Sequence, residues 1–121
     1  MKNLLRLEEL LQFLLSVYLF NQLDYAGWLY AAWFLAPDIG MLGYLLSPKV
    51  GAWTYNISHH KGLAIATYLA GTLAHIPAVA FGGILLFGHS AFDRVFGYGL
   101  KFEDDFKHTH LGRIGKPAQL R

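Results

Sequence analysis

An all-α membrane protein, a bundle of four transmembrane helices with a short polar tail, is the fold this sequence predicts. Three observations carry the prediction. The chain has 121 residues and is 55% hydrophobic. Its charged residues crowd the ends: four lie in positions 1–9 and eight in 101–121, leaving six for the 91 residues between. Gly62–Phe92 runs for 31 residues without one Asp, Glu, Lys or Arg. A water-facing domain usually has about a quarter of its residues charged, so this middle belongs to a polytopic membrane protein, with the lipid bilayer as its partner. The net charge of +2 offers no polyanion-binding surface, and no nucleic acid is expected. The chain has no Cys, which excludes disulfides, thiolate metal sites and cysteine nucleophiles.

The first helix is expected over about 3–20, with Arg6, Glu8 and Glu9 near an interface. Glu8 and Glu9 spoil a basic signal-peptide start, and Tyr18–Gln22 offers no small-x-small cleavage site, so this helix is read as retained. Asp24 is placed to cap a second helix over about 25–46, kinked or broken at Pro37. Ser47-Pro48 is a strong start for a third helix, 48–74, because a capping side chain precedes proline at the first helical position. His75-Ile76-Pro77 makes a turn into a fourth helix, 77–98, that stops near Gly97 or Gly99. Residues 1–100 thus form the transmembrane domain and 101–121 a cytoplasmic tail.

A three-span alternative would run one helix through Pro77. Loop charge argues for four. No Lys or Arg lies in the connections around Asn21–Asp24 and His75–Pro77, whereas the ends and the Lys49 region carry them. That is the positive-inside pattern with both termini cytoplasmic. Ala66, Ala70 and Ala74, and likewise Gly27 and Ala31, repeat at four-residue spacing and are expected at helix contacts.

Depth along the helices then groups the polar residues. At 1.5 Å per residue, Asp38 lies about 21 Å below Asp24, His59 and His60 about 22–24 Å below His75, and His89 and Asp93 about 18 and 24 Å below Pro77. Three helices bring ionisable groups to one level in the cytoplasmic half, together with Lys61 and Arg94, whose long stems reach an interface. Such groups are costly in a membrane and face a bundle interior or an aqueous cavity. His89 and Asp93, four apart, share a helix face and offer one nitrogen and one carboxylate, which suits zinc or iron. Asp38 with His59 or His60 could complete the set. A divalent ion there would acidify a bound water for hydrolysis, with Lys61 or Arg94 steadying an anion.

Other readings of the same residues stay open. Asp38 could cap a half-helix restarting at Ile39. His59, His60 and Lys61 could be a solvated helix end, and Asp93 could pair with Arg94, Lys61 or Lys101. A non-enzymatic assembly or accessory subunit would use these groups as structural pairs, and a homo-oligomer is compatible with so small a chain. His59 or His60 facing His89 could also ligate a haem. In the tail, Asp104, Asp105, His108 and His110 have ligand spacing and could fold over the cytoplasmic mouth of the bundle.

Leu35-Ala36-Pro37-Asp38 followed by Met41–Leu46, Phe92-Asp93-Arg94 with Gly97–Lys101, and Thr109-His110-Leu111-Gly112 carry a resemblance. Together they resemble an uncharacterised family of small bacterial integral-membrane proteins, a domain of unknown function. The resemblance implies a multi-pass protein of the bacterial inner membrane and brings no activity with it. Pro37-Asp38, His60-Lys61-Gly62 and His89–Asp93 are also similar, in order, to elements of bacterial inner-membrane metal-dependent hydrolases. Those proteins often carry an acidic residue where this chain has Gly40, and Thr-His-Ser near where it has Ala64-Ile65-Ala66. This second similarity implies a metal-dependent hydrolase of a lipid-like or phosphorylated substrate, with one or more ligands replaced.

Overall fold

The computed structural model describes residues 2–97, His108–Thr109 and Gly112–Arg113. Helix α1, Lys2–Asn21, is a leucine-rich run without Gly or Pro, and nothing in its sequence interrupts it. The expected second helix over 25–46 does not form as one piece. A short α2, Trp28–Trp33, is followed by a 3₁₀ helix over Ala36–Leu45. Asp24 does not cap α2: Gly27 holds that position, without a side-chain capping bond. Pro37 withholds an amide and its ring clashes with the preceding turn, which ends α2. Beyond it the chain is pressed against its neighbour. A Cβ at Gly40 would stand 2.6 Å from the Thr54 carbonyl oxygen, and one at Gly43 2.9 Å from that of Val50.

Helix α3, Pro48–Ser58, starts as its sequence dictates, with Ser47 Oγ accepting the Val50 amide at 3.1 Å. The expected third helix over 48–74 is broken, and α4 begins separately at Lys61–Leu73. Side chains compete with the helix here. Ser58 Oγ donates to the Tyr55 carbonyl (2.9 Å), and the His59 ring turns back to the same oxygen. His60 is extended (φ −86°, ψ 117°), and its ring accepts the Leu63 amide.

The turn between α4 and α5, Pro77–Val95, is closed by the Ile76 amide on the Gly71 carbonyl (2.8 Å), with His75 at φ +59°. That left-handed conformation favours glycine. His75→Gly is expected to raise stability by about 1 kcal/mol, checked by denaturant melts of the two proteins. Helix α5 stops at Val95, with Gly97 left-handed two residues on (φ +88°). A two-residue antiparallel ladder pairs β1, His108–Thr109, with β2, Gly112–Arg113. The expected tail otherwise lies outside the described residues.

Helix α5 is the centre. Helix α1 runs antiparallel along it, Phe20 meeting Phe81 at one end and Phe13 meeting Phe92 at the other. Helix α4 packs antiparallel on another face, so closely that a Cβ at Gly83 would lie 2.3 Å from the Tyr68 amide nitrogen. The 3₁₀ helix and α3 form a second antiparallel pair that meets α5 along a narrow seam. The α4 contact uses Ala64, Tyr68 and Gly71; Ala66, Ala70 and Ala74 are exposed, as are Gly27 and Ala31. The expected small-residue faces are therefore not the ones at the helix contacts.

The distribution of side-chain size is unusual. Among the described residues nine hydrophobic side chains are buried, four of them alanines, while 27 large ones are exposed. Small residues make the close α4–α5 contact, aromatic side chains join α1 to α5, and many large side chains remain on the outside. No helix among the described residues is long and apolar enough to cross a membrane, so the four membrane-spanning helices expected from the sequence are not formed.

Candidate metal centre

Three elements deliver to one point four side chains that could ligate a metal ion. Pro37, buried at the start of the 3₁₀ helix, sets the direction of Asp38 in its first turn. His59 stands at the C-terminal end of α3, and His89 and Asp93 project from one face of α5. One ligand atom from each of Asp38, His59, His89 and Asp93 lies within 4.8 Å of all the others. Asp38 Oδ1 is 3.4 Å from His59 Nε2 and 3.0 Å from His89 Nε2. Asp93 Oδ2 is 3.2 Å from each of the same two nitrogens. A tetrahedral ion about 2.0 Å from every ligand atom would need edges of about 3.3 Å. Four of the six edges, the nitrogen–oxygen ones at 3.0–3.4 Å, are close to this.

The other ring nitrogens fix the electrostatics. His89 Nδ1 lies 2.7 Å from the Phe34 carbonyl oxygen, so it carries a proton and donates. His59 Nδ1 lies 2.9 Å from the Tyr55 carbonyl oxygen and donates there in the same way. In a neutral imidazole this leaves the Nε2 lone pair of each ring aimed at the carboxylates. Lone pairs facing lone pairs repel, so positive charge must sit between them. Two further protons would supply it, and so would one divalent cation; either balances two carboxylates. The two differ in what they need at His59. Its Nε2 is buried and makes no hydrogen bond of acceptable geometry, although two carboxylates are near. A proton there would be poorly directed, whereas an ion at the centroid needs no N–H···O alignment. Backbone carbonyls that hold the second nitrogen of each imidazole are also the usual support of metal-binding histidines.

The site is enclosed except at one edge. His89 and His59 are 1% and 3% exposed, whereas the Asp38 side chain is 37% exposed. Tyr55 stacks flat on His59 (centroids 3.8 Å apart), and its hydroxyl donates to Asp93 Oδ2 at 3.4 Å. Sequence reading passed over Tyr55, yet it lies four residues before His59 on the same face of α3. Tyr55→Phe keeps the stack and deletes the hydroxyl. It is expected to weaken zinc binding about tenfold, measured by competition with a chromophoric chelator.

The remaining candidates lie elsewhere. His60 caps α4 and is exposed, outside the cluster. Lys61 Nζ donates to Glu9 and Gln12 of α1, an engagement the sequence did not announce. Arg94 donates to the His59 carbonyl at 3.4 Å and steadies that end of α3. Asp38 does not cap a half-helix restarting at Ile39: it lies inside the first turn of the 3₁₀ helix, whose N-cap is Leu35, and its amide donates to the Leu35 carbonyl. The His59 and His89 rings meet edge to face at 4.9 Å with two carboxylates against them, which leaves no slot for a haem. His75 is at the far turn. Asp104, Asp105 and His110 lie outside the described residues.

Compared with known proteins, residues 2–114 match a family model described as Domain of unknown function (DUF4260). No curated protein matches, and no solved structure does.

Proposed function

The chain belongs to the DUF4260 family, a domain of unknown function, and we propose that its working part is a divalent metal centre built from Asp38, His59, His89 and Asp93 in a protein seated in a lipid bilayer. The observation that carries the metal is the pair of Nε2 lone pairs facing two carboxylates at 3.0–3.4 Å. Mixed imidazole and carboxylate donors suit zinc or iron.

The lipid seat is supported by the large hydrophobic side chains on the outside. Water would penalise 27 exposed large hydrophobic side chains, while lipid accepts them. Helices interrupted at membrane depth are tolerated where the break is buried in protein or lines a polar cavity. Here both interruptions, at Leu35–Pro37 and His59–His60, adjoin the four ligands. On this reading the site opens toward the cytoplasm and both termini lie there, at the inner membrane if the chain is bacterial.

For the chemistry we assign hydrolysis of a lipid-like or phosphorylated ester. An ion at this centre supplies Lewis acidity and activates water, and substrate approaches along the exposed edge beside Asp38. A second reading has its own observation. Four protein ligands would fill the coordination of a four-coordinate ion, as in structural zinc sites, and they join the 3₁₀ helix and α3 to α5.

Elemental analysis of protein purified in mild detergent tests the centre, with one equivalent of zinc or iron expected and less than a tenth of that in Asp38→Asn. Protein that neither carries nor takes up metal would sink the proposal. Removing the ion with EDTA separates the two roles. Loss of p-nitrophenyl phosphate or p-nitrophenyl ester hydrolysis, restored by zinc, assigns catalysis. A lower melting temperature with no hydrolysis at any stage assigns the structural role.

A further inference from the structure

The four ligands of the proposed centre are not held alike. His89 gives its Nδ1 proton to the Phe34 carbonyl and is buried. His59 is fixed in three ways: Nδ1 donates to the Tyr55 carbonyl, the ring stacks on Tyr55, and the His59 carbonyl accepts from Arg94 of α5. Asp93 accepts the Tyr55 hydroxyl on the same oxygen that faces both imidazoles. Asp38 has no such support. Among the described residues no donor other than the two imidazoles reaches its carboxylate, and its side chain is the most exposed of the four.

The element that carries Asp38 is loosely secured as well. Ala36–Leu45 is wound as a 3₁₀ helix over ten residues, whereas runs beyond three or four are uncommon because their hydrogen bonds are poorly aligned. Three residues per turn set Ile39, Leu42 and Leu45 in one exposed stripe, so that side of the helix is unpacked. Its inner side lies on α3 through Gly40 and Gly43, where the Thr54 hydroxyl donates to the Gly40 carbonyl. The same hydroxyl is 3.2 Å from the Gly51 carbonyl within α3. When the 3₁₀ helix draws away, the hydroxyl turns to Gly51 and stays satisfied, which keeps the cost of detachment low.

Resting on the metal centre proposed above, we infer that Asp38 is its exchangeable ligand, carried on and off by the 3₁₀ helix, and that a small anionic donor takes the position Asp38 leaves. Charge favours an anion there, because two neutral imidazoles and the Asp93 carboxylate leave a divalent ion with net positive charge. Closed, the centre has four protein ligands, as structural zinc does. Open, it has three and a place for a further ligand, as catalytic zinc does. The structural and hydrolytic roles are then two positions of one helix.

Cobalt(II) in place of the native metal tests this, since its visible spectrum reports the ligand set. The full chain in non-ionic detergent is loaded with cobalt and titrated with sodium azide. One equivalent of cobalt is expected, with a spectrum that azide changes saturably. Amide hydrogen exchange across Ala36–Leu45 is expected to rise with azide, while that of Pro77–Val95 stays the same. Thr54→Val removes the hydroxyl at nearly constant shape and is expected to tighten azide binding about threefold. Thr54→Ser keeps the hydroxyl and should match the wild type. Cobalt held without any azide response, azide binding that leaves exchange unchanged, or equal azide affinity in wild type and Thr54→Val overturns the inference and leaves the metal centre standing. Failure to hold cobalt overturns both.

Discussion

Replacing His89 by alanine is expected to abolish metal binding and to lower stability by about 3–5 kcal/mol. His89 is 1% exposed and touches both carboxylates. Its loss opens a cavity against Phe34 and leaves Asp38 and Asp93 facing one another with only His59 between them. It also frees the Phe34 carbonyl, which otherwise receives the His89 proton. The measurement is metal content together with a chemical denaturation midpoint in detergent. His60→Ala is the matched comparison, since His60 caps α4 at the surface and should leave metal content intact. Wild-type metal content in His89→Ala would remove that residue from the centre. A fall in stability without any metal in either protein would instead favour doubly protonated imidazoles.

The second large effect concerns Gly83. An alanine methyl there would lie 2.3 Å from the Tyr68 amide nitrogen and 2.8 Å from the Ala64 carbonyl oxygen, both backbone atoms of α4. Neither can rotate aside, so the two helices must separate. Gly83→Ala is expected to destabilise the fold by about 3 kcal/mol, at the upper end of ordinary overpacking. Gly82, its neighbour in sequence, has open space around it. Gly82→Ala should instead stabilise α5 by about 0.5–1 kcal/mol, because glycine is a poor helix former. Opposite signs at adjacent positions, read from paired denaturation curves, identify the α4–α5 contact. Equal effects would show that the helices have room to move.

What the sequence made legible was depth rather than direction. Helix rise groups Asp38, His59, His60, His89 and Asp93 by level, although the continuous second helix assumed for Asp38 does not form, and the structure brings four of the five together laterally. Rise could not choose between His59 and His60. That choice rests on the backbone break, where one histidine ends α3 and the other caps α4. The break was hidden because Ser58, His59 and His60 read equally well as helix interior; only their hydrogen bonds to Tyr55 and Leu63 show the competition. The 3₁₀ helix was hidden for a different reason. Pro37 signalled an interruption, but the tight winding follows from Gly40 and Gly43 lying against α3, a tertiary contact without periodicity in sequence. The same applies to Lys61, which looked like a free cation until α1 supplied Glu9 and Gln12. The small-residue faces failed because four-residue spacing occurs on two sides of α4, and sequence alone does not say which side meets α5.

The two antiparallel pairs differ from helix α1 in how they can assemble. Helices α4 and α5 are joined by the short His75–Ile76 turn, and the 3₁₀ helix and α3 by Leu46–Ser47, so each pair closes with little loss of chain entropy. Helix α1 must instead find α5 across more than half of the chain. The two hairpins are therefore expected to form early and independently, with α1 arriving later. The seam between the hairpins is expected to close last, since it brings two carboxylates together and gains little until their charge is neutralised. Whatever neutralises it sets the pace of the final step, and a cation present during synthesis would act as an assembly factor before serving any other purpose.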